Sequence, residues 1–214
     1  MKELSYSFDA EYIIKKKKSL KRQLLADVNR NFVEKRIAIL GGETTENIKL
    51  TLELFLLNYG IKPYFYESEY NQYYEDGMFP NQELEEFKPD IIYICTCVRN
   101  IIDFPVLSDQ KEVVEQKKQA VVDKFYGLWD SVAERYHCPI IQNNFEYPFF
   151  RLMGNKDASD YHGRVNFVTM LNCAFYEYAQ KHDNFYICDV NYISASYGLD
   201  KWSEPYYWHM YKYA

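Results

Sequence analysis

The chain alternates short, continuous apolar runs with longer stretches in which apolar residues recur every three or four positions. A continuous run closed by turn residues suits a strand covered on both faces, whereas the 3.6-residue period marks a helix with one buried side. Residues 9–30, rich in Lys, Leu and Ala, read as a first helix. Arg36 to Leu40 (RIAIL), ended by Gly41-Gly42, reads as a buried strand entering a tight turn. Thr44 or Thr45 suits the N-cap of the helix that follows, which carries Ile48, Leu52, Phe55, Leu56 and Tyr59 at helical spacing and stops at Gly60. A second strand is predicted over Pro63 to Tyr66, then a polar, Tyr-rich loop from Glu67 to Pro80 and a short helix near Gln82 to Phe87. Ile91 to Cys97 (IIYICTC) has the composition of a central parallel strand. Gln110 to Tyr136 reads as a long helix with Val114, Val121, Phe125, Leu128 and Val132 on one side, and Pro139 to Gln142 as a fourth strand. A helix from Tyr161 to Lys181, striped by Val168, Leu171, Phe175 and Tyr178, leads to a fifth strand over Phe185 to Val190.

Strictly alternating strands and helices predict a three-layer α/β/α domain: five parallel strands in the flavodoxin-like order 2-1-3-4-5, joined by right-handed crossovers. Residues 1–34 are expected to be a helical segment packed on a domain spanning 35–214. In such sheets ligands bind beyond the carboxyl ends of the strands, where the strand order reverses. The relevant loops are Gly41 to Thr45, Thr96 to Asn100 and Asn143 to Tyr147, together with the C-terminal tail.

Composition narrows the partners. Of 214 residues 48% are hydrophobic and 26% charged, enough apolar material for one core in a soluble chain. A net charge of -6 argues against a nucleic-acid partner. No run approaches the roughly 18 to 20 apolar residues of a membrane helix. The first residues lack the apolar block of a secretory signal, so the expected compartment is the cytoplasm. Lys15 to Lys18, with Lys21 and Arg22, read as a solvated helix face, with a phosphate or membrane patch as the alternative. The five cysteines show no paired spacing and read as structural thiols; Cys95 and Cys97, two apart in a strand, share a face but lack the CxxC or His that would complete a metal site. His137, His162 and His182 read as surface residues. The 22 tyrosines hint at an interface or a sugar-stacking surface. For Tyr64 to Asp76 (YFYESEYNQYYED) docking or general packing is favoured over sugar binding.

The turn ILGGETTENI places backbone N–H groups and a helix N-terminus at the mouth of a pocket, which any doubly wound protein can show. Taken together, KKKKSLKRQLL, RIAILGGETTENIKLTLELFLLNYGIKPYFYESEYNQYYED, ELEEFKPDIIYI, QNNFEYP and KWSEPYYWHMYKYA carry more. Across nearly the whole chain they resemble the N-terminal, SGNH-hydrolase-like domain of FkbH-like proteins, of HAD superfamily subfamily IIIC. In that family this domain precedes a HAD-type phosphatase domain with a DxDxT-type aspartate motif. No such motif occurs in these 214 residues, so the HAD domain is an expected partner in cis or in trans, and Mg is expected only there.

The resemblance implies site residues. SGNH hydrolases carry a nucleophilic serine in the turn after strand 1; here that position is Glu43, which cannot replace a hydroxyl in a Ser–His relay. Glu43 could serve as a general base, bind a ligand, or stabilise a helix N-terminus. Gly41, Gly42, Thr44 and Thr45 would shape the same mouth and contact substrate. Asn100 falls where an oxyanion-hole asparagine would follow strand 3, although TCVRN departs from the GxND pattern. Asn143 and Asn144 in QNNFEYP either line that pocket or serve the turn. Glu204 and His209 in SEPYYWHM match the Asp–His pair of the family, at a longer spacing than DxxH; alternatively His209 packs under Trp208 and Tyr211.

The family's role is in glyceryl or acyl transfer for surface polysaccharide or polyketide-type biosynthesis. The favoured expectation is a non-hydrolytic domain that binds an acyl carrier protein or a phosphoglyceryl or sugar substrate. An esterase, thioesterase or acyltransferase using Glu43, Asn100, Glu204 and His209 is the first alternative, and a structural or dimerisation module the second.

Overall fold

The computed structural model describes residues 1–28 and 30–212; Tyr213 and Ala214 of the terminal WHMYKYA lie outside the described residues. Along the chain the elements are α1 (Ala10–Ala26), β1 (Val33–Gly41), α2 (Glu46–Asn58), β2 (Ile61–Glu67), α3 (Tyr73–Met78), α4 (Gln82–Phe87), β3 (Ile91–Cys95), α5 (Lys111–Tyr136), β4 (Ile140–Asn143), α6 (Arg164–Lys181), β5 (Phe185–Cys188), α7 (Val190–Tyr197), α8 (Leu199–Trp202) and α9 (Pro205–Tyr211). The strands pair in parallel in the order β2-β1-β3-β4-β5, as the alternation of elements predicts.

Both faces of the sheet are covered, and β1 shows how. Ala38 and Leu40 enter a large cluster built with Val114, Phe125, Leu128 and Trp129 of α5 and Phe167 and Phe175 of α6. Ile37 and Ile39, on the opposite face, pack with Cys95, Ile48 and Leu56 under α2. α1 then lies against α2, with Ile13, Leu20 and Leu24 buried against Leu54 and Leu57. Asp9 caps α1 by accepting the Tyr12 N–H at 3.0 Å. At the centre of the larger cluster Trp129 is fully buried, 4.7 Å from the Phe175 ring and 4.5 Å from Phe185, and its indole N–H donates to Gln142 at 2.9 Å. No helix among the described residues is long and apolar enough to cross a membrane.

The structure departs from the sequence reading in several places. Glu67 to Pro80 is not a loop throughout: α3 forms within it and packs on α5, burying Tyr73, whose hydroxyl accepts from Lys124 at 3.0 Å. Six residues with Gly77 among them are too short and too irregular to show a helical stripe. β3 stops at Cys95, so Cys97 belongs to the following turn and not to one face of the strand. Asp189 caps α7 by accepting the Tyr192 N–H at 3.1 Å, so β5 ends earlier than predicted. His162 is not a bare surface residue: its ring nitrogens lie 2.9 Å from the Asp160 carboxylate and 2.9 Å from the Asp109 carbonyl.

The start of α6 is fixed by a close backbone approach. Asp157 is buried and accepts from Met153 N–H at 3.1 Å and from Val165 N–H, in the first turn of α6, at 2.8 Å. A Cβ on Gly163 would lie 2.0 Å from the Asp157 carbonyl oxygen, so only glycine lets the two segments meet. Gly163→Ala is therefore expected to destabilise the fold by about 1–3 kcal/mol in urea denaturation. An unchanged midpoint would show that the approach is looser than described.

Candidate functional site

Three strand ends meet at the switch in strand order. The Gly42 N–H donates to the Cys95 carbonyl at 2.8 Å, carrying the β1–β3 ladder into the turn. Asn100 braces that turn: its side-chain oxygen accepts the Cys97 N–H at 2.9 Å, and its amide nitrogen donates to the Gly42 carbonyl at 2.9 Å and to Asn71 at 3.1 Å. A Cβ on Gly42 would sit 2.5 Å from that side-chain oxygen, and one on Gly41 3.0 Å from the Glu43 carbonyl. The glycines thus serve close packing, and the Asn100 amide donates two bonds within the chain, the one to Asn71 exposed to solvent.

The rest of the turn is equally engaged. Glu43 is buried and accepts the Cys95 thiol at 3.4 Å. Neither threonine makes the expected side-chain cap on α2. Thr45 donates to Glu67 at 2.6 Å, and Lys49 pairs with the same carboxylate. Thr44 donates its hydroxyl to the Tyr211 carbonyl at 2.7 Å and its N–H to the Lys212 carbonyl at 3.0 Å, pinning the end of α9 to the turn. α9 therefore does arrive beside Gly41 to Thr45. Within it, however, Glu204 caps the helix through Tyr206 N–H at 3.2 Å, and His209 is exposed with no hydrogen-bond or ion-pair partner for its ring among the described residues. Glu204 and His209 share a helix without forming a carboxylate–imidazole bond.

The end of β4 and the loop after it run through the interior. Gln142, Asn143, Asn144, Phe145 and Glu146 are all buried. Asn143 accepts from the Tyr93 hydroxyl at 2.8 Å and donates to the Thr96 carbonyl at 3.4 Å. Asn144 donates to Tyr176 and Asp189, each at 2.7 Å, and accepts the Asn191 N–H at 2.9 Å. Asn172 of α6 satisfies both the N–H of Phe145, at 2.9 Å, and its carbonyl, at 2.8 Å. Both carboxylate oxygens of Glu146 lie 3.1 Å from the Val98 N–H.

Glu146 is a site residue that the sequence reading passed over. Burial pushes its carboxyl up to about 7; its own backbone and the Val98 N–H pull it down, the Glu43 carboxylate pushes it further up, and Arg99 opposes that. A carboxyl poised near neutrality is suited to proton transfer or to donating a hydrogen bond. Burial also holds the Cys95 and Cys97 thiols well above their ordinary range, with Glu43 adding to the first and Glu146 to the second, so both are neutral and unreactive.

Glu146 and Val98 line a cavity of about 400 Å³. Arg99, Phe104, Arg164, Trp202, Glu204 and Trp208 also line it, together with the exposed Phe149 and Phe150. Among the residues singled out from sequence, Glu204 is the one that lines it. Glu146 carried a signal, a carboxylate between Phe145 and Tyr147 just past a strand. Arg164 and Trp202 come from distant segments, and no local spacing marks them.

In the unfolded chain the Glu146 carboxyl ionises near 4.5, whereas the folded protein keeps the proton up to about 7. Between those values the unfolded state releases a proton that the native state holds, so stability falls as pH rises. Glu146→Gln cannot ionise and escapes the loss. Its stability relative to the unsubstituted protein, followed by urea denaturation, should improve by up to about 3 kcal/mol between pH 4.5 and 7.5. A difference that stays flat over that interval contradicts the raised carboxyl.

The crystal structure of the N-terminal part of the protein BF1531 from Bacteroides fragilis, containing a phosphatase domain and complexed with Mg, matches this fold with a TM-score of 0.76 at 21% identity. The match covers 92% of this chain and 51% of that one, so the chain spans about half the length of this neighbour, and at that identity the likeness is one of fold. No curated protein sequence matches the chain. The family model described as FkbH, N-terminal domain, matches residues 36–212, from within β1 to the residue that holds α9 against Thr44; the chain belongs to the family of FkbH N-terminal domains.

Proposed function

We propose that this domain binds, without hydrolysing, a substrate or carrier-linked group and presents it to a HAD-type phosphatase domain, in the glyceryl or acyl transfer that FkbH-type proteins serve. One observation carries this reading. The position of an SGNH serine holds the buried Glu43, while the amide that would serve an oxyanion is spent on Gly42 and Asn71. The hydroxyls of Thr44 and Thr45 and the amide of Asn100 are already bonded within the protein, and the exposed His209 bonds to none of them among the described residues. What does remain is a cavity of about 400 Å³ at the carboxyl ends of β3 and β4, within the range of small-molecule sites. The neighbouring fold from Bacteroides fragilis, whose crystallised part contains a phosphatase domain, supports a partner of that type.

A catalytic reading has one observation in its favour: Glu146, titrating at about 7 in the same cavity, could act as a general base for an esterase, thioesterase or acyltransferase. A p-nitrophenyl acetate assay separates the two. The binding reading predicts no turnover above buffer, unaltered by His209→Ala or Glu146→Gln. Turnover that either substitution cuts by about 100-fold, the usual scale of a lost general base, would establish catalysis and overturn it.

A further inference from the structure

Two residues that line the cavity carry a buried donor that the protein itself does not satisfy. The Arg164 Nε and the Trp202 indole Nε1 are buried, and neither has a hydrogen-bond partner among the described residues. A buried donor without an acceptor is costly, and each one in a native fold calls for an explanation, an acceptor brought by a bound group among them. Both line the same cavity. Arg164 is half-buried, its guanidinium 5.4 Å from the Phe104 ring centre, and it forms no ion pair among the described residues. Arg99 also lines the cavity without an ion pair among them, stacked 4.6 Å over Trp208. In a chain of net charge -6, two arginines beside one void that form no ion pair among the described residues stand out.

The acidic groups facing them do not cancel this charge. Glu204 is exposed and caps α9 through Tyr206 N–H. Glu146 shares its two oxygens with a single Val98 N–H and, with its carboxyl raised to about 7, is only partly ionised at neutral pH, which weakens its repulsion of an anion. The remaining walls are aromatic: Phe104, Phe149, Trp202 and Trp208.

We infer that this cavity takes a ligand carrying a compact oxyanion, a phosphate ester or a carboxylate, held by Arg164 and the Trp202 indole N–H with Arg99 alongside, and that the uncharged body of the ligand lies against the aromatic walls. The inference rests on the binding reading above and names the chemical class that the site selects. Guanidinium and indole N–H groups are donors only, so a polyvalent oxygen acceptor complements them, and a cation or a neutral donor does not. The backbone beneath Arg164 is fixed, because Asp157 and Gly163 set the first turn of α6 and the side chain leaves from the residue directly after Gly163.

The test is isothermal titration calorimetry of the whole chain with phenyl phosphate, benzoate and benzyl alcohol, the first two separating a phosphate from a carboxylate preference. The expected result is that at least one oxyanion binds, about tenfold or more tighter than benzyl alcohol. Arg164→Gln and Trp202→Phe should each weaken that binding by about tenfold, the scale of one lost charge-assisted or buried hydrogen bond. Trp202→Phe keeps an aromatic ring and removes an N–H that bonds nothing among the described residues, so the melting temperature should not fall. Oxyanion binding untouched by both substitutions overturns the inference. Benzyl alcohol binding as tightly as its charged analogues overturns it too, but leaves the domain a binding module. Failure of every probe to bind overturns the inference and the small-ligand form of the binding reading together.

Discussion

A five-residue stretch inside the protein, four of its residues polar, governs the rest of the molecule. Gln142 to Glu146 runs from the end of β4 into the loop beyond it and stays buried, where every unpaired polar group would cost about 1–3 kcal/mol. The fold meets that demand with side chains from several directions. Trp129 reaches Gln142 from α5, Tyr93 reaches Asn143 from β3, Tyr176 and Asn172 come from α6, and Asp189 closes on Asn144 from the start of α7. Each bond ties one helix or strand to the segment, so the partners cannot move independently of it. Glu146, the last buried residue of the run, is delivered under the Val98 N–H as a consequence.

The site follows from this constraint. A carboxyl held in a dry environment keeps its proton to about neutrality, and the nearby Glu43 reinforces that tendency. The turn after β1 complements it in a different way. In a hydrolase such a turn frees a hydroxyl; here Thr44 and Thr45 spend theirs on the Tyr211 carbonyl and on Glu67, and Asn100 spends its amide on the Gly42 carbonyl. The hydrogen bonds that might have served chemistry lock the C-terminal helix and the β3 loop in place. α8 and α9 then bring Trp202 and Trp208 over Glu146 and form the cavity.

Much of the fold was legible because periodicity encodes it. The apolar runs RIAIL and IIYIC are strands, the stripe Val114, Phe125, Leu128 and Val132 faces the core, and the strand order follows from the alternation. α3 was hidden because one and a half turns interrupted by Gly77 show no period. The site was less legible. The motif turn and the C-terminal tail do meet, through Thr44 and α9, but the bonds that occupy Asn100, Asn143 and Asn144 depend on residues as remote as Asn71, Tyr93 and Asn191. Glu146 was written in plain view in QNNFEYP, yet its burial is a tertiary property. Arg164 reaches the cavity that Trp202 also lines from the first turn of α6, which Gly163 lets begin against the Asp157 backbone.

The interior course of Gln142 to Glu146 can be examined directly by amide hydrogen exchange followed by NMR. If the segment is locked as described, the Phe145 N–H, bonded to Asn172 at 2.9 Å, exchanges only through global unfolding, as slowly as Ile39 at the centre of β1. Exchange of Phe145 that is faster than that of Ile39 and insensitive to denaturant would mean that the segment opens locally, and the dry floor of the cavity would not exist.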